Sequence, residues 1–141
     1  PPAVEALEGG GRILSTRLES GITEEIAQLI RRSTEIRIVY DASLYTAEGM
    51  RYDEKIVHSI LYRSLSENYQ VTTAGGSSVE PSFQGAVERF ISLDYVVDVP
   101  DARLLVLRAR LEIPGIEDDD LVASLWNGAE PRTSYGFRNP P

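Results

Sequence analysis

The only histidine of this 141-residue chain, His58, is the residue on which any imidazole chemistry would depend. A Ser/His/Asp triad, a His-dependent metal site or an imidazole base would have to use it, and the chain has no cysteine to add a thiolate ligand. His58 alternates with Ile56 and Ile60, a pattern typical of a strand side chain. We therefore predict no catalytic residues, and we keep a hydrolase or metal enzyme that combines His58 with acids from elsewhere as an alternative.

The densest acidic cluster, residues 117–120, is a second place to look for chemistry. Calcium sites of the EF-hand type need alternating ligands, a central glycine and a terminal glutamate, whereas four consecutive acids point in divergent directions. This run therefore predicts a solvated turn or a helix start, and no metal. The glycine-rich residues 75–78 lack the lysine of a phosphate-binding loop, so the sequence predicts no cofactor either.

Tyrosine is the remaining unusual feature, with seven residues that lie mostly on or beside predicted strands. Tyrosine offers contact area and a polar tip, so these side chains could line a groove for a peptide or an apolar ligand. Tyrosine is also a common strand residue, and packing within the sheet is the competing interpretation. The residues that we predict for a binding surface are Tyr40, Tyr45, Tyr62 and Tyr69.

The overall charge restricts the partners of the chain. A formal net charge of -8 would repel phosphate backbones and anionic membrane surfaces, so we expect no nucleic acid partner. No apolar run approaches the roughly 20 residues of a transmembrane helix. The chain starts with Pro1 and Pro2, from which we expect a trimmed or mature form whose N-terminal targeting or anchoring segment has been removed.

Two helices position these residues in the predicted fold. Thr23 can cap the first helix, which carries Glu24 and Glu25 in its first turn. Ser82 can cap the second, whose apolar stripe runs from Phe83 to Ile91 at helical spacing. Asp120 is expected to cap a short third segment.

Period-two alternation predicts the strands. The short connections between them permit antiparallel neighbours but not parallel ones. We therefore predict an α+β domain in which two main helices pack on one face of an antiparallel sheet, over residues 12–128. Residues 1–11 read as a flexible leader, residues 74–78 as a loop and residues 129–141 as an irregular C-terminal segment. The predicted strands cover residues 13–18, 35–44, 55–65, 69–73, 95–97 and 103–113.

The spacing Tyr62-x-x-Leu65-x-x-x-Tyr69-x-Val71 resembles a stretch of a family of uncharacterised bacterial envelope proteins known as domain of unknown function 4390. Other similar segments occur in the same order and together cover most of residues 20–113. They are the first helix with the strand ending at Leu44-Tyr45, Phe83 with Ala86, and residues 107–112. After Pro114 only Trp126 represents the ending of that family. The resemblance implies export across the inner membrane, but no activity and no site residues.

The sequence thus predicts a non-catalytic binding or scaffold domain of the bacterial cell envelope, periplasmic or otherwise extracytoplasmic, with a protein partner. Besides the protein-binding domain and the enzyme that uses His58, a third hypothesis is a carrier of a small apolar ligand held between sheet and helices. Such a carrier requires a cavity lined by Phe83, Phe90, Tyr62 and similar residues. Neither the partner nor the oligomeric state follows from the sequence.

Overall fold

The computed structural model of the chain describes residues 3–8 and 13–137. Single helices separate runs of strands along these residues. In chain order the elements are β1 (Ala3–Glu8), β2 (Ile13–Glu19), α1 (Glu24–Arg31), β3 (Ile36–Thr46), β4 (Arg51–Arg63), β5 (Asn68–Thr73), β6 (Gly76–Glu80), α2 (Phe83–Ile91), β7 (Ser92–Val96), β8 (Ala102–Glu112), α3 (Asp119–Ser124) and β9 (Arg132–Gly136).

The strands form two antiparallel sheets. One has three strands in the order β1-β2-β7, and the other has six in the order β6-β5-β4-β3-β8-β9. The predicted α+β class with antiparallel pairing is confirmed, whereas the strands divide into two sheets where the sequence predicted one. The cause is the pairing of β2, which lies between β1 and β7 and does not join the larger sheet.

The two main helices begin where their capping residues predict. The Thr23 side chain accepts a hydrogen bond from the Ile26 amide at 3.3 Å, and the Ser82 hydroxyl accepts one from the Gly85 amide at 3.0 Å. Each cap satisfies an amide that has no partner within its own helix. Asp118, and not Asp120, caps α3, because its carboxylate accepts from the Leu121 amide at 3.1 Å.

One apolar core joins both sheets and the helices. Alternate residues of the central strands, such as Ile38 of β3 and Ile60 of β4, are fully buried in it. Phe90 of α2 is also fully buried. Trp126 closes the far end, where its indole N–H donates to the Gly21 carbonyl at 2.8 Å. We call the face of the six-stranded sheet that contributes to this core the inner face.

Both predicted irregular ends contribute strands, which corrects the expectation for these segments. Residues 3–8 of the expected leader form β1, which pairs with β2 from Ala3↔Glu19 to Glu8↔Leu14, and Val4 is buried in the core. At the other end β9 pairs with β8. Backbone pairing explains both results, because a short segment with weak alternation still gains hydrogen bonds from a neighbouring strand edge. Residues 9–12, which include the predicted glycine linker, lie outside the described residues.

The predicted loop at residues 74–78 is also partly wrong. β6 begins at Gly76 and pairs with β5, from Thr73↔Gly76 to Tyr69↔Glu80. Gly76 has a φ of 117°, a value that favours glycine, so the glycines form the turn of a hairpin and not an extended loop.

Candidate functional site

His58 points from β4 into the core and is 1% exposed. Its Nδ1 lies 3.0 Å from the Phe90 carbonyl oxygen, and since a carbonyl only accepts, the imidazole N–H donates. Nε2 has no hydrogen-bond partner among the described residues. Burial lowers the pKa of His58 below its ordinary 6.5, partly offset by the bond to Phe90. His58 is therefore a neutral, backbone-anchored side chain.

This arrangement does not support the hydrolase alternative. A catalytic histidine is oriented by a carboxylate and faces a nucleophile, whereas His58 is oriented by a backbone carbonyl. It touches a cavity of about 360 Å³ that Ser92 and Asp94 also line, yet no side chain in the described part of the chain forms a hydrogen bond to its ring. Among the side chains that the structure describes, no group of three or more from His, Cys, Asp and Glu could hold a metal ion.

Three of the four predicted tyrosines lie on the inner face. Tyr40 is 1% exposed, and its ring packs edge-on against His58 with centroids 5.2 Å apart. Burial raises the pKa of Tyr40, whose hydroxyl has no partner within the described residues. Tyr62 and Tyr69 contact each other with centroids 4.8 Å apart, and Tyr69 also contacts Phe83. Sheet packing therefore accounts for Tyr40 and Tyr69, which are buried.

Tyr45 lies on the opposite face of the sheet, because it is an odd number of residues from Tyr40 along β3. The guanidinium of Arg51, its cross-strand neighbour, lies 5.7 Å from the centre of its ring. The four tyrosines therefore do not line one groove, contrary to the prediction. Of the four, Tyr45 lies on the face opposite the core, where Arg51 is its charged neighbour.

The residues expected to line a cavity for an apolar ligand pack in or against the core. Phe90 is fully buried, while Phe83 and Tyr62 pack against the core. An apolar cleft of about 220 Å³ lies elsewhere, between α1, α3 and the end of β8. This volume is below the roughly 300 Å³ at which small-molecule pockets begin. The residues that line the cleft are Leu29, Ile113, Ile116, Leu121, Val122 and Leu125.

The outer face of the six-stranded sheet is the second region with concentrated chemistry. We define it as the side chains that alternate with those of the inner face. Within the strands it carries seven of the 14 basic residues of the chain but only three of the 22 acidic ones. The basic residues are Arg37, Arg51, Lys55, Arg63, Arg108, Arg110 and Arg132, and the acidic ones are Asp41, Asp53 and Glu112.

The strand register places four of these charges in one line across the sheet. Asp41 of β3 is opposite Lys55 of β4 on one side and Arg108 of β8 on the other, and Arg108 is in turn opposite Arg132 of β9. We call Lys55, Arg108 and Arg132 the basic row. All three residues are exposed to solvent.

Ion pairs on the outer face involve other residues. Arg110 lies 3.4 Å from Asp41, and Arg51 lies 2.8 Å from Asp53. The hydrogen bonds that Asp53 accepts from Arg51 and from Ser43 lower the pKa of its carboxyl group. Arg37 and Glu112 also pair, at 3.4 Å.

The three members of the basic row form no ion pair with the part of the chain that the structure describes. Arg108 and Arg132 are instead like charges in directly opposed positions, an arrangement that destabilises a strand pair. Sequence reasoning missed this row because Lys55, Arg108 and Arg132 lie in separate segments. Only the register of four strands brings them together.

Among the described residues, the helices are too short and too polar for any of them to cross a bilayer. In the comparisons with known proteins, no family model matches the chain and no curated protein matches it. The geometry of the two faces is therefore the basis for a functional proposal.

Proposed function

We propose that this protein is a non-catalytic binding domain of the bacterial cell envelope that holds a protein partner through the outer face of its six-stranded sheet. One observation carries the proposal: the outer face has a surplus of four positive charges in a chain whose net charge is -8. Charge separation of this kind steers a partner to one surface and suppresses association elsewhere.

The exposed apolar side chains of the outer face, and its accessibility, support the same proposal. Val57 of β4 is 40% exposed, Val79 of β6 is 53% exposed and Leu104 of β8 is 37% exposed. Apolar side chains surrounded by polar ones are the composition of a protein interface. The proposal takes both main helices to pack on the inner face, where α1 contacts β3 and β4, and α2 contacts β4 and β5. The outer face would then stay accessible to a partner.

The envelope location is the part of the proposal that rests on the resemblance of residues 20–113 to the envelope family. Fractionation of the natural full-length protein tests it. We expect a C-terminally tagged chain to be digested by protease in spheroplasts, while a cytosolic marker stays intact. Protection of the tag equal to that of the marker would contradict the envelope location, and would leave the proposed binding surface untouched.

Photo-crosslinking tests the binding surface. A photoreactive amino acid replaces Val57 or Val79 on the outer face, or Val96 of β7 as a control, which is 58% exposed on the smaller sheet. In native cells we expect the same discrete adduct from Val57 and Val79, and none from Val96. Equal adducts from all three positions, or adducts from Val96 alone, would contradict the proposal.

A further inference from the structure

We propose that the basic row recognises an acidic, extended segment of the protein partner whose carboxylates occur at alternate residues. This inference rests on the proposed function and adds the chemistry of the partner. The observation behind it is the cross-strand line of Lys55, Arg108 and Arg132. These three exposed cations form no ion pair with the described residues.

The length of the row fits such a segment. Lys55 on β4 and Arg132 on β9 are separated by three inter-strand steps, which amounts to about 14 Å. In an extended peptide, side chains on one side repeat at about 6.7 Å, so three alternating carboxylates span about 13 Å. The peptide would cross the strands with its outer carboxylates at Lys55 and Arg132. Its middle carboxylate would lie about halfway between Arg108 of β8 and Asp41 of β3, whose own carboxylate lies 3.4 Å from Arg110.

The local charge of the row also favours a short peptide over an extended anionic surface. Because the chain has a net charge of -8 and the outer face a positive surplus, the rest of the chain carries a negative surplus. Within one Debye length, about 8 Å at physiological salt, a peptide on the row interacts mainly with the charges of the outer face, which have a positive surplus. A membrane surface or a nucleic acid extends well beyond the row, so the negative charges elsewhere on the chain would repel it.

The opposition of Arg108 and Arg132 supplies an independent argument for an anionic ligand. Two cations in directly opposed strand positions repel each other, and a carboxylate bound at either of them offsets that repulsion. Arg110 and Arg51 already contact acidic side chains of the chain itself, so they do not offer a comparable site.

The probe is a capped peptide in which glutamate alternates with glycine, titrated into the ¹⁵N-labelled chain and followed by NMR. We expect the amide shifts to move in β8 and β9 and in the Lys55 region, with binding that weakens as salt rises. A peptide with lysine in place of glutamate should not bind. Absence of shifts with the acidic peptide, or shifts confined to other elements, would overturn the inference.

Two double variants of equal charge change provide the decisive comparison. Arg108→Glu with Arg132→Glu reverses two members of the row, whereas Arg32→Glu with Arg89→Glu reverses two exposed arginines outside the outer face. We expect the first to weaken peptide binding at least about tenfold, and the second to change it less than about threefold. Neutral Arg108→Gln with Arg132→Gln gives the same test without added acids. Equal weakening by both reversals would overturn the inference.

Two further arms separate other occupants of the row. Binding to anionic phospholipid vesicles that exceeds peptide binding and depends on Arg108 and Arg132 would overturn the peptide assignment. Concentration-dependent dimers that the Arg108→Glu, Arg132→Glu variant abolishes would assign the row to a second copy, and would also overturn it. If crosslinks from Val57 persist while the acidic peptide fails to bind, the proposed function stands and only the partner chemistry fails.

Discussion

The two faces of the six-stranded sheet differ in the burial of their polar and charged side chains, although the same strands form both faces. The inner face buries Ile38, Ile60 and even the polar side chains of Tyr40 and His58. The outer face leaves Lys55 and its neighbours in the basic row exposed and without ion pairs to the described residues. The polar groups of the inner face are thus buried, and His58 is held there by a hydrogen bond to a backbone carbonyl. The cations of the basic row on the outer face are exposed to solvent.

The difference shows where stability and binding reside in this fold. Burial of apolar surface on the inner face stabilises the native state, because each large side chain removed from water contributes about 1.5–3 kcal/mol. Exposed charges contribute little to stability, since surface ion pairs are worth about 0–1 kcal/mol. Substitutions on the inner face should therefore change folding, and substitutions of exposed side chains on the outer face should mainly change binding.

The largest expected effect follows from Phe90→Ala. Phe90 is fully buried in α2 against the core, so its removal leaves a cavity and should cost about 3–5 kcal/mol of unfolding free energy. Urea denaturation followed by circular dichroism measures the loss. A loss below about 1 kcal/mol would mean that the inner face is not the packed region described above.

The next effect is a pH dependence that comes from His58. Burial lowers its pKa below 6.5 in the folded chain, so the unfolded chain gains a proton first as the pH falls. The contribution is complete above about pH 6.5 and is lost as the pH falls toward the folded pKa, with a slope of at most about 1.4 kcal/mol per pH unit. Urea denaturation between about pH 7.5 and 5.5 measures it.

His58→Gln is the control for this pH dependence. Glutamine can still donate to the Phe90 carbonyl but does not titrate, so the variant should lose the extra slope just below pH 6.5. Any slope that remains comes from carboxylates. Identical slopes for the two chains would contradict the neutral, buried state of His58.

A smaller effect is expected from Arg132→Glu, which separates stability from binding. The substitution places an acid opposite Arg108, so it should raise the unfolding free energy by about 0.2–1 kcal/mol while it weakens binding of the acidic peptide. Denaturation and NMR titration of the same variant measure both quantities. A stabilised variant with unchanged peptide binding would assign Arg132 a purely structural role.

The smallest effect is expected from Val57→Ala on the outer face. Val57 is 40% exposed, so its truncation should change the unfolding free energy by less than about 0.5 kcal/mol. The same substitution at Val39, which is 1% exposed although it alternates with the inner-face residues, should cost more. A loss at Val57 as large as the loss at Val39 would show that Val57 is covered in solution.

Local patterns predicted the helices and most strands of this fold. Thr23 and Ser82 mark the helix starts correctly, because an N-cap satisfies backbone amides within three residues. The alternation from Ile36 onward likewise gave β3 and its buried face. These features depend only on neighbours in the chain, and a single sequence contains that information.

Features that depend on distant pairing were not predictable. Ala3–Glu8 becomes a strand because β2 offers it an edge, and the separation of the strands into two sheets follows from the partners that β2 takes. The basic row also depends on distant pairing. Lys55 of β4 and Arg132 of β9 fall on one line only because β3 and β8 pair between them. The tyrosine groove failed for a related reason, because strand alternation places Tyr40 and Tyr45 on opposite faces.

The most direct test of the central claim measures the Val57 photo-adduct in chains that carry either double charge reversal. We predict that Arg108→Glu with Arg132→Glu reduces the yield of that adduct at least about tenfold, while Arg32→Glu with Arg89→Glu leaves it within about threefold of the parent chain. Equal yields in the two variants would contradict the claim that the charges of the outer face hold the partner.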